Sequence, residues 1–256
     1  MQVHLVPDRF ADKTVVVTGA AGGIGEATAK RIAAEGGAVL CVDLQAEAVE
    51  QTAADITEAG GTAAARAADV SDSDACTAAI ETAVNAWGGL HALCNVAGVL
   101  RTSHTHEETD QHWQLMVDVN LNGTFYLSRA ALPHLLETRG AIVNVSSTAG
   151  VIGQAYLAAY CASKHGVVGL TRAMAIEYAR ERVRVNAVCP GGVDTAMTQT
   201  IEYPEDANLQ LILRAALANE NCSPEDVANM IAWLASDEAT YVNGSILSID
   251  GGVAAG

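Results

Sequence analysis

Residues 14 to 34 read TVVVTGAAGGIGEATAKRIAA, a β-branched run that passes through a glycine loop directly into a segment of helical period. Few folds accommodate that order. Glycine at Gly19, Gly22, Gly23 and Gly25 permits a tight turn and lets backbone N–H groups come close to an anion, and the helix beginning near Ile24 adds the positive end of its dipole. A strand, this loop and a helix form a cradle suited to a pyrophosphate. Asp43 closes the next strand-like run, about 20 residues further on, where an acidic side chain can accept from ribose hydroxyls. The competing reading makes Asp43 the N-cap of a helix over 46 to 59.

The rest of the chain repeats the alternation. Short runs rich in Val, Ile and Leu at 14 to 18, 38 to 43, 63 to 68, 90 to 96, 140 to 146, 183 to 189 and 245 to 249 read as strands. Helical period marks 24 to 36, 46 to 59, 72 to 87, 109 to 136, 158 to 180 and 224 to 235. Runs such as VVV and AIVNV lack a polar alternation, which predicts strands covered on both faces: a doubly wound α/β Rossmann sheet of seven parallel strands. No linker or low-complexity stretch divides the 256 residues, so a single domain over 1 to 256 is expected. The stretch 194 to 223, mixed in polarity and split by Pro204, interrupts the alternation and reads as a lid or a surface excursion.

Charge narrows the partners. Fourteen basic and thirty acidic residues give a net charge of −16, which repels phosphate backbones and anionic membranes, so neither nucleic acid nor a membrane is an expected partner. The opening MQVHLVPDRF lacks the pattern of a secretory leader and no run of about 18 apolar residues occurs, which leads to the expectation of a soluble, cytoplasmic protein. Cys41, Cys76, Cys94, Cys161, Cys189 and Cys222 contain no CxxC pair and read as reduced, mostly buried thiols. His104, His106, Glu107, Asp110 and His112 could ligate a metal, but their spacing matches no zinc pattern and a solvated loop is the expectation; no metal site is assigned. Ala20, Ala21 and Leu44 offer no cation for a 2′-phosphate, which favours NAD over NADP.

In AYCASKH, residues 159 to 165, a phenol and an ammonium stand one helical turn apart at Tyr160 and Lys164. Alone the pair fits many exposed helices. It gains weight from its company: TGAAGGIG, NVAG (Asn95 to Gly98), Asn120, Ser147, YCASK and PGGVDT (Pro190 to Thr195) occur in one order. With these motifs the chain resembles the short-chain dehydrogenase/reductase family from Thr14 to Gly252.

The resemblance implies NAD as cofactor, with the pyrophosphate on the glycine loop, the adenosine ribose on Asp43 beside Leu44, and the adenine between Asp69 and Val70. Asn95, Ala97 and Gly98 would support the central sheet and cofactor contacts, although Val96 stands where the family more often has Asn or Ala. Pro190, Gly191, Val193 and Thr195 would hold the nicotinamide end. Tyr160 would carry the proton in a hydride transfer between nicotinamide and a secondary alcohol or ketone. Lys164 would lower the phenol's pKa and hold the nicotinamide ribose, Ser147 would donate to the substrate oxygen, and Asn120 would hold a water linking Lys164 to solvent. The expected walls are Val99, Leu100, Val151, Ile152, Gln154, Tyr156 and Met197, with part of 199 to 217; their apolar character suggests a hydrophobic, steroid-like substrate. A homotetramer is implied as well. The alternatives are a 3-oxoacyl thioester reductase and a catalytically silent NAD-binding regulator.

Overall fold

In Thr14–Thr18 (β1) all five residues are buried, because successive side chains face opposite helix layers. Val15 and Val17 pack with Ala29, Ile32, Ile231 and Leu234, whereas Val16 packs on the other side with Ile80, Leu93, Leu127 and Leu135. The computed structural model describes residues 5–214 and 221–255. The further strands are Ala38–Asp43 (β2), Thr62–Ala67 (β3), Ala92–Asn95 (β4), Ala141–Val145 (β5), Arg184–Pro190 (β6) and Ile246–Ile249 (β7). They form one parallel sheet in the order β3-β2-β1-β4-β5-β6-β7. Chain progression reverses between β1 and β4, so a crevice opens beyond their carboxyl ends, the place where open α/β sheets receive ligands.

Helices Gly23–Ala34 (α1), Ala46–Glu58 (α2) and Pro224–Ala235 (α9) supply residues to one core layer; Ser73–Trp87 (α3), Gly123–Thr138 (α5) and Ala158–Glu177 (α6) supply the other. Their ends follow local chemistry. Asp72 caps α3 by accepting from the N–H groups of Asp74 and Ala75, and Gly88 closes it in the left-handed region at φ 81°. Ser223 and Asp226 form a capping box at α9, with Pro224 in its first turn.

The strand expected over 90 to 96 is confined to Ala92–Asn95, because the Thr18 hydroxyl takes the N–H groups of Val96 (3.0 Å) and Ala97 (3.1 Å) out of the ladder. The helix expected over 109 to 136 is three pieces: Asp110–Met116 (α4), a π-helical turn Val117–Asn122, and α5. The helix expected to reach 180 ends at Glu177. The stretch 194 to 223 carries two short helices, Ala196–Gln199 (α7) and Leu209–Leu213 (α8); its residues 215 to 220 lie outside the described residues, as do 1 to 4 of the opening segment. Asp43 is not the N-cap of α2; Gln45 holds that position without a side-chain bond. Among the described residues no helix is long and apolar enough to cross a membrane.

Candidate active site

The glycine loop is shaped by close approaches. A Cβ on Gly19, whose φ is 68°, would stand 2.9 Å from the Ala97 backbone nitrogen, and one on Gly25 would collide with the Gly19 carbonyl oxygen. The loop therefore lies hard against the end of β4. Gly22 is the N-cap of α1 with no side chain to cap the helix, and a Cβ there would meet no atom within 4 Å. An uncapped helix N-terminus behind open space is a fitting seat for a phosphate. Asp43 completes it: one carboxylate oxygen accepts from Ala21 N–H at 3.1 Å and the other from Gln45 N–H at 3.0 Å. A carboxylate has about four lone-pair sites, so acceptor capacity remains for a ribose.

The other expected cofactor residues sit around this seat with varied surroundings. Asp69 accepts from both the N–H and the hydroxyl of Ser71, at 2.8 and 2.7 Å, which fixes its carboxylate just beyond β3. Val70 is buried against Gly123, where an added Cβ would stand 3.0 Å from Val70 Cγ2. Leu44 is 69 % exposed. Pro190 ends β6, and Gly191 N–H donates to the Ile249 carbonyl. Val193 is buried in a bridge to Cys222, and Thr195 caps α7 while its Cγ2 lies 3.0 Å from the Cβ position of Gly23. PGGVDT thus reaches across to the glycine loop.

Tyr160, Lys164, Asn120 and Ser147 converge at the carboxyl end of β5. Lys164 is 3 % exposed; its Nζ donates to the Val145 carbonyl at 2.9 Å and lies 5.7 Å from the centroid of the Tyr160 ring. Gly98 lets this ammonium approach Asn120, because a methyl there would stand 3.1 Å from Asn120 Oδ1 and 3.3 Å from Lys164 Nζ. Ser147 caps the short 3-10 turn Thr148–Gly150, accepting from Ala149 N–H at 3.1 Å. Gly150 admits that turn to α6, since a Cβ would press on Ser146 Oγ and on the Lys164 carbonyl.

Asn120 occupies the π-helical turn. Its side chain accepts from Val99 N–H (2.8 Å) and donates to the Val99 carbonyl (3.0 Å) and to Ser163 Oγ (3.1 Å), so both amide hydrogens are used. Its carbonyl accepts from the Thr124 hydroxyl at 2.8 Å. The Asn120 side chain is a clamp between the chain after NVAG and helix α6.

Burial dominates the electrostatics. It pushes the Tyr160 phenol up to about 12, against a hydrogen bond with Ser147 that pulls it down, and it lowers Lys164 to about 8. In the protein alone, desolvation of the ring outweighs the hydrogen bond with Ser147.

On the substrate side, Gln154 Nε2 donates to Thr148 Oγ1 at 2.9 Å, and Met197 on α7 is 39 % exposed. The Tyr156 hydroxyl accepts from Asn208 N–H at 2.7 Å, which directs it at residues 202 to 208. Among the described residues no three possible metal ligands converge; His104 pairs with Asp206 and His112 with Glu108.

The comparisons with known proteins bear on the whole of this arrangement. A short-chain dehydrogenase family model described as Enoyl-(Acyl carrier protein) reductase matches residues 19–254. The chain belongs to the short-chain dehydrogenase/reductase family. Cyclohexanol dehydrogenase of Acinetobacter sp. (strain SE19) is 39 % identical over 249 residues, covering 96 % of this chain and 97 % of that one. 3beta-Hydroxysteroid dehydrogenase 1 of Eggerthella lenta is 40 % identical over 252 residues, covering 96 % and 95 %. Among solved structures, carveol dehydrogenase from Mycobacterium avium in complex with NAD superposes with a TM-score of 0.88 at 31 % identity, over 97 % of this chain and 100 % of that one. The protein is an oxidoreductase of the alcohol and hydroxysteroid dehydrogenase type that uses a nicotinamide cofactor.

Two residues that sequence reasoning passed over complete the site. Ser163, inside YCASK, accepts from Asn120 and donates to the Tyr160 carbonyl at 2.8 Å. Ser146 donates to the Lys164 carbonyl at 2.9 Å. Both were visible as hydroxyls beside the reacting motifs, but Asn120 lies 43 residues from Ser163 and Lys164 lies 18 from Ser146.

A lysine held near 8 is less readily charged than in the unfolded chain, where it titrates near 10.5. Its folded pKa is depressed, so the penalty is in force below pH 8 and is relieved as pH rises from 8 to 10.5. At about 1.4 kcal/mol per unit the net penalty is about 3 kcal/mol, and a side chain that cannot bond Val145 forfeits about 1 kcal/mol of the gain from its removal. Lys164→Met should raise the stability of the cofactor-free protein by about 2 kcal/mol in urea unfolding at pH 7. That gain should vanish at pH 10.5.

Proposed function

We propose that the protein is an NAD-dependent dehydrogenase of apolar secondary alcohols carried on an alicyclic ring, steroid-like alcohols included. The observation that carries the reading is the convergence of a buried phenol, a buried ammonium and a serine hydroxyl at the carboxyl end of β5. The substrates in the names of the similar proteins support the ring: cyclohexanol, a 3beta-hydroxysteroid and carveol.

When bound, NAD⁺ supplies the acceptor for the hydride leaving the carbinol carbon. The chain's residues manage the proton and the geometry. Ser147 Oγ donates to the substrate oxygen and stabilises its developing negative charge. Tyr160, as phenolate, takes the hydroxyl proton. Lys164 has three donor hydrogens, one on Val145, which leaves two for the ribose hydroxyls of the nicotinamide half and places a positive charge under the phenol. Asn120 and Ser163 hold α6 in register with the chain after Gly98. Asp43 favours NAD because a 2′-phosphate would meet a carboxylate already held by Ala21 and Gln45.

The 3-oxoacyl thioester reductase reading gains from a 36 % identical relative named 3-oxoacyl-[acyl-carrier-protein] reductase FabG, of Thermotoga maritima, yet a net charge of −16 opposes docking of an acidic carrier protein. A silent NAD-binding regulator would have no use for the Tyr160, Lys164 and Ser147 set. We further propose a homotetramer, with Trp113 on α4 and Phe125 on α5, 46 % and 40 % exposed, covered by another subunit.

Tyr160→Phe should retain NAD binding and lose about 10³-fold in turnover of cyclohexanol, followed as NADH absorbance. Turnover equal to that of the unaltered protein would remove Tyr160 from the mechanism. Asp43→Ala should weaken NAD by about ten-fold or more and narrow its advantage over NADP; an unchanged ratio of the two affinities would refute the assignment. Light scattering after size exclusion should give the mass of four chains, and the mass of one chain would exclude the tetramer.

A further inference from the structure

Tyr156 has a φ of 66°, the left-handed region that bulky side chains avoid. Such a backbone persists only where its surroundings over-determine it. Here they do. The Tyr156 carbonyl accepts from Ser103 N–H at 3.0 Å, and its hydroxyl accepts from Asn208 N–H at 2.7 Å. Its ring stands edge-on to His104, with centroids 5.2 Å apart, and to Tyr203 at 6.3 Å. Beside it His104 Nε2 meets Asp206 Oδ1 at 2.8 Å, and the Thr102 hydroxyl donates to the Glu202 carbonyl.

Three segments distant in sequence are thus stitched at one residue: 102 to 104, which follows NVAG; 202 to 208, within the stretch that interrupts the alternation; and the turn leading into α6. The residue after Tyr156, Leu157, is the N-cap of α6, and Tyr160 lies in that helix's first turn. Any shift of 202 to 208 therefore pulls on the start of the helix that carries the proton-transfer group.

We infer that Tyr156 is a positioning residue, a strained clasp that holds segment 202 to 208 as a lid against the entrance to α6 and so sets how firmly the alcohol is seated. The inference rests on the alcohol dehydrogenase reading for its kinetic consequence, but not for its structural one. Loss of the hydroxyl alone keeps the ring edge-on to His104 and Tyr203, so Tyr156→Phe tests the clasp with little threat to folding. Asp206→Asn weakens the second stitch independently.

The experiment is hydrogen exchange by mass spectrometry on peptides covering 202 to 208 in the whole, cofactor-free protein, together with steady-state kinetics on cyclohexanol. Tyr156→Phe and Asp206→Asn should each speed exchange of that segment by about 3- to 10-fold, the double variant by more, while Tyr160→Phe leaves it unchanged. KM for the alcohol should rise by a similar factor in Tyr156→Phe, with kcat falling far less. Unchanged exchange in all of the clasp variants would overturn the inference. A fall in kcat at constant KM would overturn it too, since the hydroxyl would then act on the chemical step. If the unaltered protein oxidised no alcohol while lid exchange still responded, the clasp would stand and the activity reading would fall.

Discussion

A lysine ammonium at 3 % exposure, resting on the carbonyl of a parallel strand, is the constraint from which the rest of the site follows. Taking that charge out of water is costly, and the structure offsets the cost only in part, through Val145 and the face of Tyr160. Everything adjacent must then leave it room. Gly98 does so because a methyl would crowd both Lys164 and Asn120, and Gly150 because a methyl would push the 3-10 turn away from α6. Such a group lowers stability and persists where function requires it.

The same economy of space governs the cofactor side. At the reversal of strand order β1 is tied to the chain after β4 by Thr18, whose single hydroxyl oxygen takes two N–H groups of the NVAG segment. Deeper in the sheet, Asn95 donates to Ser128 and to Asn144, and Asn144 donates to Thr171, so a line of buried polar contacts runs from α5 through β4 and β5 to α6. A buried network of this kind fixes orientation as well as adding stability, since each broken bond strands a polar group in a dry interior. The helix bearing Tyr160 and Lys164 is thus anchored at both its sheet face and its first turn.

The strand and helix order was legible because it is local: runs such as VVV announce two-sided burial, and glycine, proline and capping residues punctuate the chain at the turns. The π-helical turn at Asn120 was not, because it answers to a bond with Val99, 21 residues away. Ser163 escaped for the same reason, its partner being Asn120. Tyr156 reads as an apolar wall in sequence; its left-handed backbone and its bond to Asn208 exist only once two loops meet. Motif spacing located Tyr160 and Lys164, but the direction of their pKa shifts depends on how completely the fold dries them, which no short stretch of sequence records.

Those two shifts share one cause and can be resolved together. Burial raises the phenol to about 12 and depresses the ammonium to about 8, so in each case it works toward the neutral form. The ionised pair, phenolate with ammonium, carries no net charge, and with Nζ 5.7 Å from the ring centroid the two charges stabilise one another in a medium of low dielectric. Any further positive charge at the crevice favours the phenolate and opposes the ammonium, while the Val145 carbonyl acts on the ammonium alone. A strand-end acceptor beneath the lysine therefore favours its charged form against the burial that opposes it.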